Sequence, residues 1–193
     1  MSRIFGEFWE ESPACQEYLT LVFSPSSLPL KKRWVHNGLS ADFLAGYFST
    51  FFPGGEGKTV GVNQQAEVKS AVSYIANELL ENAMKFYDDR LSHQITITLQ
   101  LHAQKLVFFA TNTVKPEAVN EFQFFIQELI GNDATELYIR HLEGSSVTAS
   151  SHQSRLGFLS MMNDYLAKLG WKFEQVQKNP EIIIVTTMVQ LEV

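Results

Sequence analysis

Three side chains in one short run carry the clearest chemistry of this sequence. They are Glu78, Asn82 and Lys85, within Glu78-Leu79-Leu80-Glu81-Asn82-Ala83-Met84-Lys85-Phe86. They stand at i, i+4 and i+7 of a segment rich in helix formers, so a helix projects all three from one narrow stripe. A carboxylate, an amide oxygen and an ammonium in one row suit a magnesium–phosphate ligand. The carboxylate orients a nucleophile, the amide oxygen sits on the metal, and the ammonium offsets phosphate charge. Asn82 strengthens this reading, because asparagine weakens a helix interior and is kept here among residues that favour one. The plainer alternative is a solvated helix face, on which Glu81 and Lys85 at i, i+4 contribute about 0.2–0.5 kcal/mol.

The helix that must hold this row covers 64–88, where Val68, Val72, Ile75, Leu79 and Phe86 recur at three- and four-residue steps. At about 100° per residue, Glu78, Asn82 and Lys85 fall beside that apolar stripe, at the edge of the buried face where a cleft forms. Upstream, the sequence predicts an opening helix carrying Phe5, Phe8 and Trp9, then a strand over 18–23 and a second around Trp34-Val35. A helix follows the N-cap Ser40 and ends at Pro53-Gly54-Gly55. Downstream, residues 93–101 alternate as a half-buried strand, and 105–112 form a more deeply buried one. Helices follow over 116–130 and 133–143, then a small-residue loop over 144–154 and a helix over 155–169 ended by Gly170. Strands over 171–176 and 181–192 close the chain around Lys178-Asn179-Pro180. These elements predict an α+β fold, a two-layer α/β sandwich with a mixed sheet and helices on one face. Residues 1–60 form an N-terminal extension packed on the same domain, and 61–193 form the main domain.

Composition narrows the function classes. In 193 residues, 45% hydrophobic content and 15 Phe imply a packed core rather than disorder. A net charge of −6 and a pI near 5.4 leave no basic field for nucleic acid, and Lys31-Lys32-Arg33 is the only basic cluster. One cysteine, Cys15, excludes an internal disulfide and a cysteine zinc site. Neither a signal-peptide core nor a run of 18 apolar residues occurs, so the expectation is a cytoplasmic protein with no membrane span. Gly57-Lys58-Thr59 imitates the end of a P-loop, but Phe52 stands where its first glycine belongs. The histidines lack metal spacing, and Ser150, Ser151 and Ser154 lie outside any nucleophile-elbow pattern.

The run ELLENAMKF resembles the N box of the GHKL ATP-binding superfamily, which includes histidine kinases, gyrase-type ATPases and anti-sigma-factor serine kinases. The order of elements over 64–193 is similar as well: N-box helix, hairpin, lid region, helix near a glycine motif, final strand pair. With two amphipathic helices over 116–143, the chain is similar to the SiaB-like regulators, implicated as protein serine kinases acting on a small anti-sigma-antagonist-like protein partner. The resemblance implies ATP and Mg as cofactors, with Glu78 at or near the general base, Asn82 on magnesium and Lys85 toward the phosphates.

Two further boxes are degenerate. Where the superfamily carries Asp-x-Gly-x-Gly, this chain reads Ala110-Thr111-Asn112-Thr113-Val114-Lys115, so Thr111 or Asn112 would offer adenine a neutral acceptor, weaker than a carboxylate. Of the phosphate-wrapping glycines, Gln153-Ser154-Arg155-Leu156-Gly157-Phe158 keeps Gly157, ahead of a helix whose N-terminus favours an anion and with Arg155 adding charge. Two functions stay open. One is a bacterial signalling regulator with a degenerate GHKL-type fold, acting through a protein partner with weak or no nucleotide binding. The other is a Mg-ATP-dependent serine/threonine protein kinase of the anti-sigma or SiaB-like type. Homodimerisation is common in the superfamily; Phe5, Phe8 and Trp9 would serve it, or would pack on the domain's own sheet.

Overall fold

Alternation decides the sheet. In β3 (Ile95–Leu101), Ile95, Ile97, Leu99 and Leu101 are buried while the residues between them are half-buried. β3 pairs with β4 (Lys105–Val114), and β4 pairs with the last strand, β6 (Glu181–Glu192). The computed structural model describes residues 2–24, 37–54, 64–91, 93–143 and 149–193, with only the backbone for 141–143 and 149–155. The expectations for residues 31–35, 57–59 and 144–146, and for the Arg155 side chain, lie outside the described residues.

Among the described residues the order is β1-β5-β6-β4-β3-β2, where β1 is Ser2–Gly6, β2 is Glu17–Phe23 and β5 is Lys168–Lys178. Every neighbouring pair is antiparallel, so the sheet is not mixed as the sequence suggested. The reason is topological. The long helical connection from β4 leads to β5, but β6 then folds back between these two strands and separates the pair that would have been parallel.

The chain's start is a strand, not a helix. β1 pairs with the edge of β5, Arg3 opposite Phe173 and Phe5 opposite Trp171, and this pairing overrides local helix preference. β1 stops at Gly6, whose φ of 64° suits glycine and whose missing Cβ leaves room for the Leu169 carbonyl. The chain then crosses the sheet. Phe8 packs edge-on to Phe109 and Trp9 edge-on to His102, and Gln190 Nε2 donates to the Glu7 carbonyl at 2.9 Å. Phe5 meets Phe173. All three aromatic rings are thus used within the chain.

The described residues include five helices: α1 (Asn37–Ser49), α2 (Gln64–Lys85), α3 (Pro116–Gly131), α4 (Ala134–Glu143) and α5 (Ala149–Asp164). α2 lies on β3 and β4, α3 on β1 and β6, α1 and α5 against α2, and α4 against α5. The core between sheet and helices holds Trp171, Phe108, Ile75, Leu79 and Leu80, each essentially inaccessible. α5 ends at Asp164 rather than near Gly170 because Leu166 takes φ 51°, a helix-breaking conformation that sequence assigns to glycine. Gly170 serves instead inside β5, where an added Cβ would come 2.6 Å from Cα of Phe8.

Candidate functional site

The 22-residue helix α2 turns Val68, Val72, Ile75 and Leu79 into the core and carries the Glu78–Asn82–Lys85 row at the margin of that face. The three side chains share a direction but not an environment.

Glu78 is half-buried, and its carboxylate lies directly against Gly157 of α5. A Cβ at residue 157 would sit 3.0 Å from Cδ of Glu78 and closer still to Oε2, so glycine is what lets the carboxyl group reach the helix. Burial, and secondly the nearby Glu81, push the Glu78 carboxyl up from 4.5 to about 7, with Lys85 opposing. Asn77 Nδ2 donates to Glu81 Oε1 at 2.9 Å and holds that second carboxylate one turn away.

Asn82 is 8% exposed, and its Nδ2 has no hydrogen-bond partner among the described residues. It borders a cavity of about 20 Å³ shared with Asn112 of β4 and Thr187 of β6. That volume holds a single water, for which the Asn82 amide would be one partner. Asn112 is buried, with Nδ2 donating to the Thr113 carbonyl at 3.0 Å. Lys85, in the last turn, lies with Nζ 5.4 Å from the Phe86 ring centre, and burial lowers its pKa.

Thr111 is not brought to this group. Ala110, Asn112 and Val114 face α2, so strand alternation sends Thr111 to the opposite face. There its hydroxyl pairs with that of Thr186 at 3.0 Å across the β4–β6 ladder. The structure therefore gathers Glu78 with Gly157, and separately Asn82 with Asn112 around the small cavity, while Lys85 lies beside Phe86.

What fills the cleft was not legible in the motifs. Phe158 of α5 and Phe122 of α3 border the cavity together with Leu79, Phe86 and Val185. Phe86 and Phe122 stack with centres 6.3 Å apart, Phe122 continues edge-on to Phe173, and Phe158 meets Trp171 edge-on at 5.6 Å. The only sequence signal was the abundance of phenylalanine, which does not say where the rings converge. Below the cleft, Asp88 is 1% exposed and accepts from Arg90 Nε and Nη2, each at 2.8 Å. The bridge between Tyr87 and Val114, with the Asp88 amide donating to the Thr113 carbonyl at 3.0 Å, pins the end of α2 to β4.

Neither the scan against protein-family models nor the search of curated proteins finds a match to this chain. Among solved structures, a chain of the SiaB–SiaC complex from Pseudomonas aeruginosa is similar, with 16% identity, a TM-score of 0.54, and coverage of 90% of this chain and 89% of that one. The likeness shows a shared fold, an α+β sandwich of one antiparallel sheet and helices. Among the described residues no helix is long and apolar enough to cross a membrane, and no group of three or more His, Cys, Asp or Glu is arranged to hold a metal.

Proposed function

We propose that this chain is a bacterial signalling regulator that acts by binding a protein partner, and that its nucleotide cleft is packed shut. One observation carries the reading. The space bordered by Asn82 and Asn112, where the resemblance puts magnesium and adenine, is occupied by Phe122, Phe158 and Leu79 down to about 20 Å³. Small-molecule sites run to roughly 300–1,000 Å³. Magnesium fits no better, since it is usually bound through one or two carboxylates in an octahedral array of oxygens, and among the described residues no carboxylate borders this cavity. Glu78 is turned onto Gly157. A protein partner is supported by the solved neighbour, which is a complex of two proteins, and a small anti-sigma-antagonist-like protein is the partner class the resemblance implies.

The rival reading, a Mg-ATP-dependent serine/threonine protein kinase, draws on one feature: a carboxyl raised to about 7 suits a general base. Calorimetric titration with ATP and ADP, with and without magnesium, separates the two. The regulator reading expects no heat at millimolar nucleotide, and nucleotide-independent binding when a small anti-sigma-antagonist-like protein is titrated. Micromolar, magnesium-dependent ATP binding overturns it in favour of the kinase.

A further inference from the structure

Asn82 is an expensive residue where it stands. It lies inside α2, its side chain is buried, and its Nδ2 has no hydrogen-bond partner among the described residues. Asparagine weakens a helix interior, and a buried donor left unpaired carries the full cost of its desolvation. Leucine, which occupies positions 79 and 80 of the same helix, fills a similar volume at neither cost. Packing within the chain therefore does not call for asparagine at this position.

The cavity beside it offers a reason. Its polar lining comes from three separate elements: Asn82 from α2, Asn112 from β4 and Thr187 from β6. The other lining residues are apolar, Leu79, Phe122 and Phe158 among them. Asn112 and Thr187 are buried as well. In the β4–β6 ladder Asn112 stands opposite Val185 and Thr187 opposite Ala110, so the two are diagonal neighbours on the face turned to α2. Diagonal positions lie about 7–8 Å apart, which is far for two short side chains to bond directly and suits a small molecule between them.

We infer that this cavity is a binding site for one long-lived internal water, held jointly by Asn82, Asn112 and Thr187, and that Asn82 is kept to complete it. Donors and acceptors balance. Asn82 Nδ2 donates to the water oxygen. Asn112 has committed its amide N–H to the Thr113 carbonyl, so its Oδ1 accepts one water proton, and the Thr187 hydroxyl oxygen accepts the other. Three bonds is the usual complement of an internal water. The space, about 20 Å³, exceeds the roughly 10–15 Å³ that one water needs and leaves no room for a larger occupant. The water ties the middle of α2 to two central strands. This inference rests on the closed cleft proposed above, and it gives the asparagine a task that needs neither magnesium nor nucleotide.

Water-selective NOE and ROE spectra of the isotope-labelled full chain, recorded without nucleotide, test this inference. The expected result is a cross-peak from water to the Asn82 side-chain amide protons, of opposite sign in the two experiments, which marks a water that tumbles with the protein. Magnetic relaxation dispersion of the water oxygen, which is blind to exchanging hydroxyl protons, should then count one long-lived water fewer in Asn82→Leu and in Thr187→Val. The two substitutions lie on different elements, and the wild-type cross-peak decides the matter even where a variant fails to fold. An Asn82 amide without a water cross-peak overturns the inference, as does a count unchanged in a folded variant. The proposed function fails by a separate result, micromolar Mg-ATP binding in calorimetry, whatever water the free chain holds.

Discussion

Replacing Glu78 by glutamine should stabilise the protein, and should do so only above a defined pH. Burial is the main reason the folded carboxyl titrates at about 7 rather than 4.5. Below 4.5 the group is protonated in both folded and unfolded chains and favours neither. Between 4.5 and 7 the folded chain holds a proton that the unfolded chain has released, so stability falls as pH rises. Above 7 the full penalty is present, because a charged carboxylate must stay against Gly157. A displacement of this size corresponds to about 3 kcal/mol between protonation states. Glu78 is only half-buried, and water reduces the realised penalty to roughly 1–2 kcal/mol. Glu78→Gln keeps the shape of the neutral acid without the charge. Urea denaturation at pH 4.5, 6 and 8 should show the variant equal to wild type at the lowest pH and more stable by about 1–2 kcal/mol at the highest. In a chain of this size that is a rise in melting temperature of about 3–6 °C at pH 8. A stability difference that is flat with pH, or a variant less stable at pH 8, would show that the carboxylate is solvated or ion-paired and refute the reasoning.

Phe158→Ala removes a ring that is 2% exposed and seals the cleft, and should cost about 3–5 kcal/mol by chemical denaturation. If α3 and α5 do not collapse onto the gap, the variant should also bind a small apolar probe such as benzene, detectable as a rise in melting temperature. Asp88→Asn replaces a buried carboxylate held well below its ordinary range chiefly by hydrogen bonds from Arg90. It should cost about 1–3 kcal/mol at neutral pH. The depressed carboxyl stabilises the fold above its ordinary pKa and loses that contribution as pH falls through its folded value, so acid unfolding of the variant should be less steep than that of wild type.

Periodicity revealed most of the fold. Helix α2, the β3–β4 hairpin, helices α3 and α4 and the closing β5–β6 pair lie close to where three- and four-residue steps or strict alternation put them. Helix starts were misjudged, since Ser40 lies inside α1 and α5 begins at Ala149 within the expected loop; two other misses arise from tertiary context. β1 is a strand because β5 offers it an edge, and α5 stops where Leu166 adopts a conformation that no residue type announced. Strand alternation was available in the sequence yet went unused at Thr111 and Asn112. Adjacent strand residues face opposite ways, so only one of the two alternatives can face α2, and it is Asn112 that borders the cavity. Gly157 was singled out as the survivor of a phosphate-wrapping box, and the structure gives it a different reason to be glycine, the Glu78 carboxylate lying on it.

The Glu78–Asn82–Lys85 row shows where spacing stops informing. Steps of four and three residues fix rotation about the helix axis, and the three side chains do leave α2 on one side. The same steps also advance the chain by roughly 10 Å along that axis, and over such a length a helix passes from one neighbour to the next. Glu78 therefore meets α5, Asn82 meets the cavity over β4 and β6, and Lys85 meets Phe86 at the helix end. A shared ligand would have to span all three, but Phe122 and Phe158 stand in the space between helix and sheet that it would need. Nucleotide entry would thus require α3 or α5 to withdraw those rings from Phe173 and Trp171, giving up the edge-to-face packing that closes the core. The spacing of Glu78, Asn82 and Lys85 specifies a face of the helix, while the residues packed against it decide whether that face has anything to bind.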